Sequence, residues 1–209
     1  MNKDANFWNK ASEKYSRMPI SDIAAYDHKL AKTREFFDEN TTALEIGCGT
    51  GSTALLHGPY VKHYTATDFS SEMIRIANEK LRTSDADNIT FKNQEIEDVT
   101  VDEPIDVVLA LNVLHLVEGL DETISKVNNW LKPNGTFVTS TVCLGDGMKY
   151  FKLIAPIGRL FGFMPLLKVF TKSQLKKRLE KNGFRVIYEW QPEKKRISSV
   201  FFIAEKTEG

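Results

Sequence analysis

Short apolar runs typical of strands alternate with helical segments along most of the chain. Seven runs favour strands: Thr42–Ile46, His63–Thr67, Ile89–Lys92, Ile105–Leu111, Gly135–Val142, Phe184–Trp190 and Val200–Glu205. Helical segments follow several of them: Ser52–Leu56, Ser71–Leu81, Leu120–Leu131 and Lys172–Lys181. This alternation predicts an α/β fold built on a mostly parallel, doubly wound sheet.

Two of the apolar runs indicate how the strands lie in the sheet. Residues Ile105–Leu111 are almost continuously apolar, which is typical of a parallel strand covered on both faces. The last two runs have no helix between them and are joined by the polar segment Gln191–Ser198, so they predict an antiparallel hairpin. We therefore expect a seven-stranded sheet with an antiparallel strand at its C-terminal end.

Two regions extend beyond the predicted sheet. Residues 1–40 form a helical cap of two helices, Asn6–Ser16 and Ser21–Asp38, with a break at Met18–Pro19. Residues 144–170 form an insertion that is more apolar than a solvated loop requires. Three interpretations of the insertion are open: a helix packed on the core or in a dimer interface, a lid over an apolar acceptor, or a segment whose basic residues meet lipid head groups.

Composition limits the class of protein. The chain has 209 residues, 42% of them hydrophobic, which suits one domain over residues 1–209. Its 28 basic residues balance 28 acidic ones, so the net charge does not favour a nucleic-acid partner. The N-terminus is polar, the most apolar stretch is interrupted by charges, and Cys48 and Cys143 lack a CxxC companion. We therefore expect a cytoplasmic protein without a secretory signal or a transmembrane segment.

The first predicted strand ends in a glycine-rich turn, residues 47–51. In an α/β sheet such a turn often binds a nucleotide, because glycine permits a sharp turn and a close approach of the backbone to the ligand. Asp68 ends the second strand about twenty residues later, where its carboxylate can accept hydrogen bonds from both hydroxyls of a ribose. The two features together predict a nucleotide site more specifically than either feature does.

The spacing of the glycines distinguishes two classes of nucleotide-binding enzyme. Dehydrogenases that bind dinucleotides place a third glycine or alanine three residues after the second, and here that position is Ser52. The observed GxGxG pattern, with Glu45 two residues ahead of Gly47, resembles the first motif of class I S-adenosylmethionine-dependent methyltransferases. The resemblance extends over approximately residues 42–137 and includes the turn at residues 131–135. The C-terminal hairpin also resembles that family, whereas dehydrogenases generally lack it.

This resemblance implies an enzyme that transfers the methyl group of S-adenosylmethionine to a small-molecule acceptor by direct displacement. In the family pattern, Asp68 holds the ribose, Phe69 lies beside the adenine, and Glu95 reaches the adenine amino group. Gln94 and Ile96 depart from the family's usual loop sequence. The other residues expected to bind S-adenosylmethionine, the methyl donor, come from the glycine turn and the strand ends: Glu45, Gly47, Cys48, Gly49, Gly51, Ile96, Leu111 and Asn112.

The acceptor pocket is expected to come from the helical cap and the insertion. Four aromatic residues of the cap are candidate wall residues, with core packing as the alternative: Phe7, Trp8, Tyr15 and Tyr26. His115 follows the fourth strand and, with an ordinary pKa, would suit a general base, although its aliphatic neighbours equally favour a core histidine. The four histidines show no metal-ligand spacing, so no metal is predicted.

Several alternatives are open. Glu45 can stabilise the turn and a charged ligand, or it can be a polar residue that ends the strand. Cys48 fits a small buried residue better than a nucleophile, because direct displacement needs no covalent enzyme intermediate. An NAD-dependent oxidoreductase is the alternative enzyme. A non-catalytic module that binds S-adenosylmethionine is the alternative from another class. Lipid is the alternative acceptor.

Overall fold

A computed structural model describes residues 3–148, 150–161, 164–192 and 199–207. The helices of this part are α1 (Lys3–Ser16), α2 (Ile23–Arg34), α3 (Ser52–His57), α4 (Ser71–Arg82), α5 (Leu120–Trp130), α6 (Phe151–Leu160) and α7 (Lys172–Lys181). The strands are β1 (Thr42–Ile46), β2 (His63–Asp68), β3 (Ile89–Asn93), β4 (Ile105–Leu111), β5 (Leu131–Val142), β6 (Phe184–Trp190) and β7 (Ser199–Lys206). Short 3-10 helices occupy Gly58–Tyr60, Ile96–Asp98, Leu114–Leu116 and Leu144–Asp146.

The seven strands form one sheet in the order β3-β2-β1-β4-β5-β7-β6. Strands β1 to β5 pair in parallel, and β7 runs antiparallel to both β5 and β6. The order of strands reverses between β1 and β4, and in open α/β sheets ligands bind outside the carboxyl ends of the strands at such a switch point. The predicted fold class is confirmed: a doubly wound, mostly parallel seven-stranded sheet with an antiparallel C-terminal strand.

Buried apolar side chains cover both faces of the sheet. Successive residues of β1 point to opposite faces, so Ala43 packs in one cluster and Leu44 in the other. Tyr64 of β2 and Ala77 of α4 belong to the first cluster, whereas Leu175 of α7 belongs to the second. The loops at the carboxyl ends of β1, β2 and β4 are therefore attached to a fully packed scaffold.

The cap and β5 differ from the predicted boundaries. Helix α1 begins three residues earlier than expected. Helix α2 begins later than the predicted Ser21, because the side chain of Asp22 caps the helix by accepting a 3.0 Å hydrogen bond from the backbone NH of Ala25. It ends at Arg34, four residues before the predicted Asp38. Strand β5 begins at Leu131, which pairs with Ile105 before a shift in register, rather than after the turn at Gly135.

The insertion, residues 144–170, connects β5 to α7, and its two ends meet. The backbone NH of Gly145 donates a 2.9 Å hydrogen bond to the carbonyl of Phe170, which ties its two ends together. Between them lies α6, which contains Pro156. None of the helices in the described ranges combines the length and the apolar character that crossing a bilayer requires. Most of the hairpin loop predicted at Gln191–Ser198 lies outside the described residues.

Candidate active site

A cavity of about 330 Å³ opens at the carboxyl ends of β1, β2 and β4, which is within the usual range for small-molecule sites. One side, here called the sheet wall, consists of Gly47, Gly49, Asp68, Phe69, Gln94, Glu95, Ile96, Leu111 and Asn112. A second group of lining residues, here called the outer wall, comes from α1, the segment after β4 and the insertion: Asp4, Trp8, Tyr15, Leu116, Val117, Glu118 and Leu166. The lining is completed by Met73, Glu97 and Val113.

The glycine turn exposes bare backbone to the cavity. Gly47, Gly49 and Gly51 all have positive φ angles, of 67°, 55° and 74°, in the region where residues with a Cβ are strained. A Cβ on Gly47 would lie 2.5 Å from Cγ2 of Val113, whereas a Cβ on Gly49 would meet no atom closer than Cε1 of Tyr15 at 3.8 Å. Gly49 therefore leaves space that belongs to the cavity.

Gly51 has a different role from the other two glycines. It lies outside the described cavity lining, and a Cβ there would lie 2.5 Å from Cζ of Phe91 and 2.8 Å from Cβ of Ala77. The residue thus permits close packing of the turn against α4 and β3. This close contact explains a glycine at the third position of the pattern without any ligand.

Asp68 joins the end of β2 to the glycine turn. One carboxylate oxygen accepts a 2.9 Å hydrogen bond from the NH of Gly49, and the other accepts a 2.9 Å hydrogen bond from the NH of Ser70. The carboxyl group is buried, and this burial raises its pKa above the ordinary value, opposed by the two hydrogen bonds. Each oxygen has a second lone pair, so the carboxylate can still accept hydrogen bonds from a ligand.

Glu45 lies behind the turn and outside the described cavity lining. It is almost completely buried, and its carboxylate accepts a 2.9 Å hydrogen bond from the hydroxyl of Tyr64. Burial raises the pKa of Glu45 to about 8, with Tyr64 acting in the opposite direction. The carboxyl group therefore holds a proton near neutral pH more readily than an exposed glutamate does.

Cys48 also lies behind the cavity lining. Its side chain is buried, burial raises the pKa of its thiol, and its backbone NH donates a 2.9 Å hydrogen bond to the carbonyl of Thr67. A thiol with a raised pKa forms little of the thiolate that a nucleophile requires.

The loop after β3 brings Glu95 and Ile96 to the sheet wall. The backbone NH of Gln94 donates a 3.0 Å hydrogen bond to the carbonyl of Asp68, and the side chain of Asn93 donates a 2.9 Å hydrogen bond to the same carbonyl. The loop is therefore held against the end of β2. This contact places Glu95 on the same wall as Phe69 although the loop departs from the family's usual sequence.

Helix α1 supplies the aromatic part of the outer wall. Trp8 and Tyr15 form an edge-to-face pair with ring centroids 6.1 Å apart, and both line the cavity. The helix is attached to α4 through Asn9, whose side-chain oxygen accepts a 2.7 Å hydrogen bond from the hydroxyl of Ser70. Phe7 and Tyr26, which the sequence also suggested, lie outside the described lining.

The outer wall is tied together by an ion-pair cluster. Arg159 of α6 lies 2.7 Å from a carboxylate oxygen of Asp4 and 3.1 Å from one of Glu118. The second oxygen of Asp4 accepts a 3.0 Å hydrogen bond from the NH of Leu166. Asp4, Glu118 and Leu166 carry no motif in the sequence, so only the folded chain shows that they meet.

His115 lies in the 3-10 helix Leu114–Leu116. Val113 and Leu116 of the same segment line the cavity, but His115 is outside the described lining. Burial lowers the pKa of its imidazole to about 4, below the ordinary value expected from the sequence. Nδ1 is buried and has no hydrogen-bond partner among the described residues. The imidazole is therefore neutral at physiological pH.

The structure brings together eight of the twelve site residues suggested by the sequence. These are Gly47, Gly49, Asp68, Phe69, Glu95, Ile96, Leu111 and Asn112. The other four, Glu45, Cys48, Gly51 and His115, lie behind or beside the lining. Within the described ranges, no group of three or more His, Cys, Asp or Glu side chains is arranged to hold a metal ion.

Comparison with known proteins identifies the family. A profile of the methyltransferase domain family matches residues 37–200. The chain belongs to this family. The methyltransferase is of class I and uses S-adenosylmethionine, as the glycine turn and Asp68 predicted. The NAD-dependent oxidoreductase and the non-catalytic module are therefore not supported.

The methyltransferase resembles segments of longer curated proteins. It is 34% identical over 114 residues to a malonyl-[acyl-carrier protein] O-methyltransferase of Priestia megaterium, a match covering 54% of this chain and 40% of the relative. It is 29% identical over 183 residues to the highly reducing polyketide synthase easB of Emericella nidulans, covering 78% of this chain and 7% of the synthase. The chain thus spans less than half the length of these two relatives.

A solved structure, the DhpI-SAH complex, has the same fold. Its TM-score is 0.76 at 18% sequence identity, and the superposition covers 99% of this chain and 97% of that one.

The residues of the sheet wall fit S-adenosylmethionine. Gly49 leaves open space beside the backbone, and Asp68 has spare lone pairs for hydroxyl donors. The charged side chains of the described lining are all acidic, namely Asp4, Asp68, Glu95, Glu97 and Glu118. A negative surround favours a cationic sulfonium.

Proposed function

We propose that the methyltransferase acts on a small-molecule acceptor that is neutral or cationic and partly apolar. The charge of the cavity carries this proposal: its described lining includes five carboxylates and no Lys, Arg or His. Arg159, the cation nearest the outer wall, already contacts Asp4 and Glu118. An anionic acceptor would lose its hydration there without gaining a free cation, which is unfavourable. Trp8, Val117 and Leu166 supply apolar surface for the rest of the acceptor.

The sheet wall would bind and orient the donor. Asp68 receives the ribose hydroxyls on its spare lone pairs, Phe69 lies beside the adenine, and Glu95 accepts a hydrogen bond from the adenine amino group. Bound S-adenosylmethionine supplies an electrophilic methyl group for direct displacement. The outer wall then has two tasks, to exclude water and to hold the acceptor in line with that group.

His115 is the candidate general base. Its imidazole is neutral, which is the form that can accept a proton, and it lies between Leu114 and Leu116 beside the cavity. Burial lowers the pKa of the imidazole to about 4 and so weakens it as a base, and the alternative role is that His115 shapes the acceptor pocket. His115→Ala should lower turnover while leaving the affinity for S-adenosylhomocysteine unchanged. If turnover and acceptor affinity both match those of the wild type, His115 is not part of the mechanism.

Donor binding is tested by calorimetry with S-adenosylmethionine, S-adenosylhomocysteine and NAD. We expect the two sulfur ligands to bind and NAD not to bind. The opposite pattern would refute the assignment of the sheet wall.

Acceptor class is tested by a mass-spectrometric screen with four groups of acceptors: phenols, amines, lipids and carboxylates, the last including a malonyl thioester. The relative from Priestia megaterium makes the malonyl thioester the sharpest comparison. We expect methylation of phenols or amines and little methylation of carboxylates. Efficient methylation of the malonyl thioester alone would overturn the charge argument.

We further place the enzyme in the cytoplasm, because its two cysteines are free thiols. Its balanced net charge disfavours a nucleic-acid acceptor.

A further inference from the structure

Helix α6 carries an apolar stripe on its outward side. The stripe consists of four aliphatic residues, and the exposed fractions are 76% for Leu153, 48% for Ile154, 60% for Ile157 and 73% for Leu160. Their spacing places them on one side of the helix, opposite Ala155, which is the buried residue of α6. Four bulky aliphatic side chains exposed together on one helix exceed what single surface residues explain.

Basic residues line a cleft that reaches α6 at Lys152. A cleft beside α6 is lined by four lysines, Lys152, Lys168, Lys177 and Lys181. None of them forms an ion pair with another residue in the described ranges.

Two of the acidic residues in the same cleft are already neutralised. Arg178 pairs with Asp121, and Arg159 pairs with Glu118. The lining of the cleft carries five cationic side chains, the four lysines and Arg178, against three acidic ones, Glu118, Asp121 and Glu122. It therefore has an excess of positive charge although the net charge of the whole chain is zero.

We propose that the stripe of α6 and the four lysines beside it form a docking surface for an anionic lipid membrane. An amphipathic helix with aliphatic side chains toward the acyl chains and lysines at the phosphate level lies in the plane of the interface. The charges favour this occupant, because a second copy of the chain would bring the same lysines together.

The position of α6 relates this surface to the cavity. Arg159, on the inward side of α6, contacts Asp4 of the outer wall, so the helix separates the stripe from the cavity. One helix diameter is about 10 Å. Docking through the stripe therefore holds the outer wall close to the lipid head groups.

The proposal is tested by sedimenting the full chain with vesicles. Vesicles of phosphatidylcholine alone are compared with vesicles of equal parts phosphatidylcholine and phosphatidylglycerol, at low and high salt. We expect binding to the mixed vesicles that weakens with salt. The double variant Ile157→Glu, Leu160→Glu should lose binding, whereas Ile20→Glu, Ile23→Glu, which changes two other exposed isoleucines, should keep it.

A second pair of variants isolates the charge. Lys152→Glu, Lys177→Glu should weaken binding to the mixed vesicles on the order of tenfold or more. Lys62→Glu, Lys92→Glu changes the net charge equally, at exposed positions near β2 and β3, and should have little effect. All variants should keep the wild-type affinity for S-adenosylhomocysteine, which shows that they are folded.

Four results would overturn the proposal. The first is no binding of the wild type to mixed vesicles, and the second is equal binding by the stripe variant. The third is a dimer that Ile157→Glu, Leu160→Glu dissociates, because a second copy then covers the stripe. The fourth is retention of the wild type on a polyglutamate matrix without vesicle binding, which indicates an acidic protein as the partner.

Discussion

The sheet wall and the outer wall of the cavity differ in how they are held. The sheet wall is attached to strands packed on both faces, and the hydrogen bonds of Asp68 fix its turn to the end of β2. The outer wall joins α1 to the insertion through Arg159, whose side chain is one-third exposed. A wall that binds an invariant donor can be rigid, whereas a wall that selects an acceptor can be held by weaker and more exchangeable contacts.

The largest expected effect lies in the glycine turn that carries the sheet wall. Gly51→Ala combines a positive φ angle with overlap against Phe91 and Ala77, so we expect the free energy of unfolding to fall by about 2 to 5 kcal/mol. Gly49→Ala should cost only about 1 to 2 kcal/mol of strain but should impair donor binding, because its methyl group enters the cavity. Chemical denaturation and calorimetry on both variants measure the two effects. Equal stability losses would remove the distinction between packing and cavity glycines.

A pH series tests whether the buried acid behind the sheet wall, Glu45, has a raised pKa. The pKa of Glu45 is raised from 4.5 to about 8, so the folded protein holds a proton that the unfolded chain releases. This contribution to stability is present at low pH and is lost as the pH rises from 4.5 toward 8, by up to about 1.4 kcal/mol per pH unit. Glu45→Gln, which can still accept from Tyr64, should flatten that decline in thermal unfolding. The exposed Glu103→Gln is the control, and parallel curves for all three proteins would contradict a raised pKa.

Donor affinity provides the next test. The two carboxylate oxygens of Asp68 accept hydrogen bonds from the NH groups of Gly49 and Ser70. Asp68→Asn replaces one of these oxygens with an NH2 group, which cannot accept. We expect the affinity for S-adenosylhomocysteine to fall by about 1 to 3 kcal/mol, measured by calorimetry. The exposed Asp102→Asn should leave it unchanged. An unchanged affinity in Asp68→Asn would mean that the ribose lies elsewhere.

The smallest effect is expected in the outer wall. Arg159→Ala removes two partly exposed ion pairs, with Asp4 and Glu118, so the free energy of unfolding should fall by about 1 kcal/mol or less. Acceptor KM should nevertheless rise, because Asp4 and Glu118 lose their attachment to α6, whereas the Kd for S-adenosylhomocysteine should stay constant. Arg17→Ala, which removes an exposed pair with Glu13, is the matched control. A change in donor Kd and none in acceptor KM would reverse the roles of the two walls.

The sheet wall could be predicted from the sequence, because its parts follow strand ends. Gly49 and Asp68 lie within one strand-helix-strand unit, and parallel strands bring their carboxyl ends to one edge. The sequence grouped Gly51 with Gly49 among the residues expected to bind the donor, whereas Gly49 faces the cavity and Gly51 packs against Phe91. That distinction depends on side chains of α4 and β3, which the motif does not specify.

The outer wall could be predicted only in outline. Trp8 and Tyr15 were suggested by their aromatic character, and both line the cavity. Asp4, Glu118 and Leu166 had no distinguishing pattern, because residues far apart along the chain meet only through tertiary packing. The low pKa of His115 likewise depends on burial by neighbours that the sequence does not identify.

The hydrogen bond between Gly145 and Phe170 closes the insertion at its base. A segment whose two ends meet can be lengthened, shortened or exchanged with little strain on the elements that flank it, here β5 and α7. Residues 146–169 could therefore be replaced by the corresponding segment of another methyltransferase while the glycine turn is left intact.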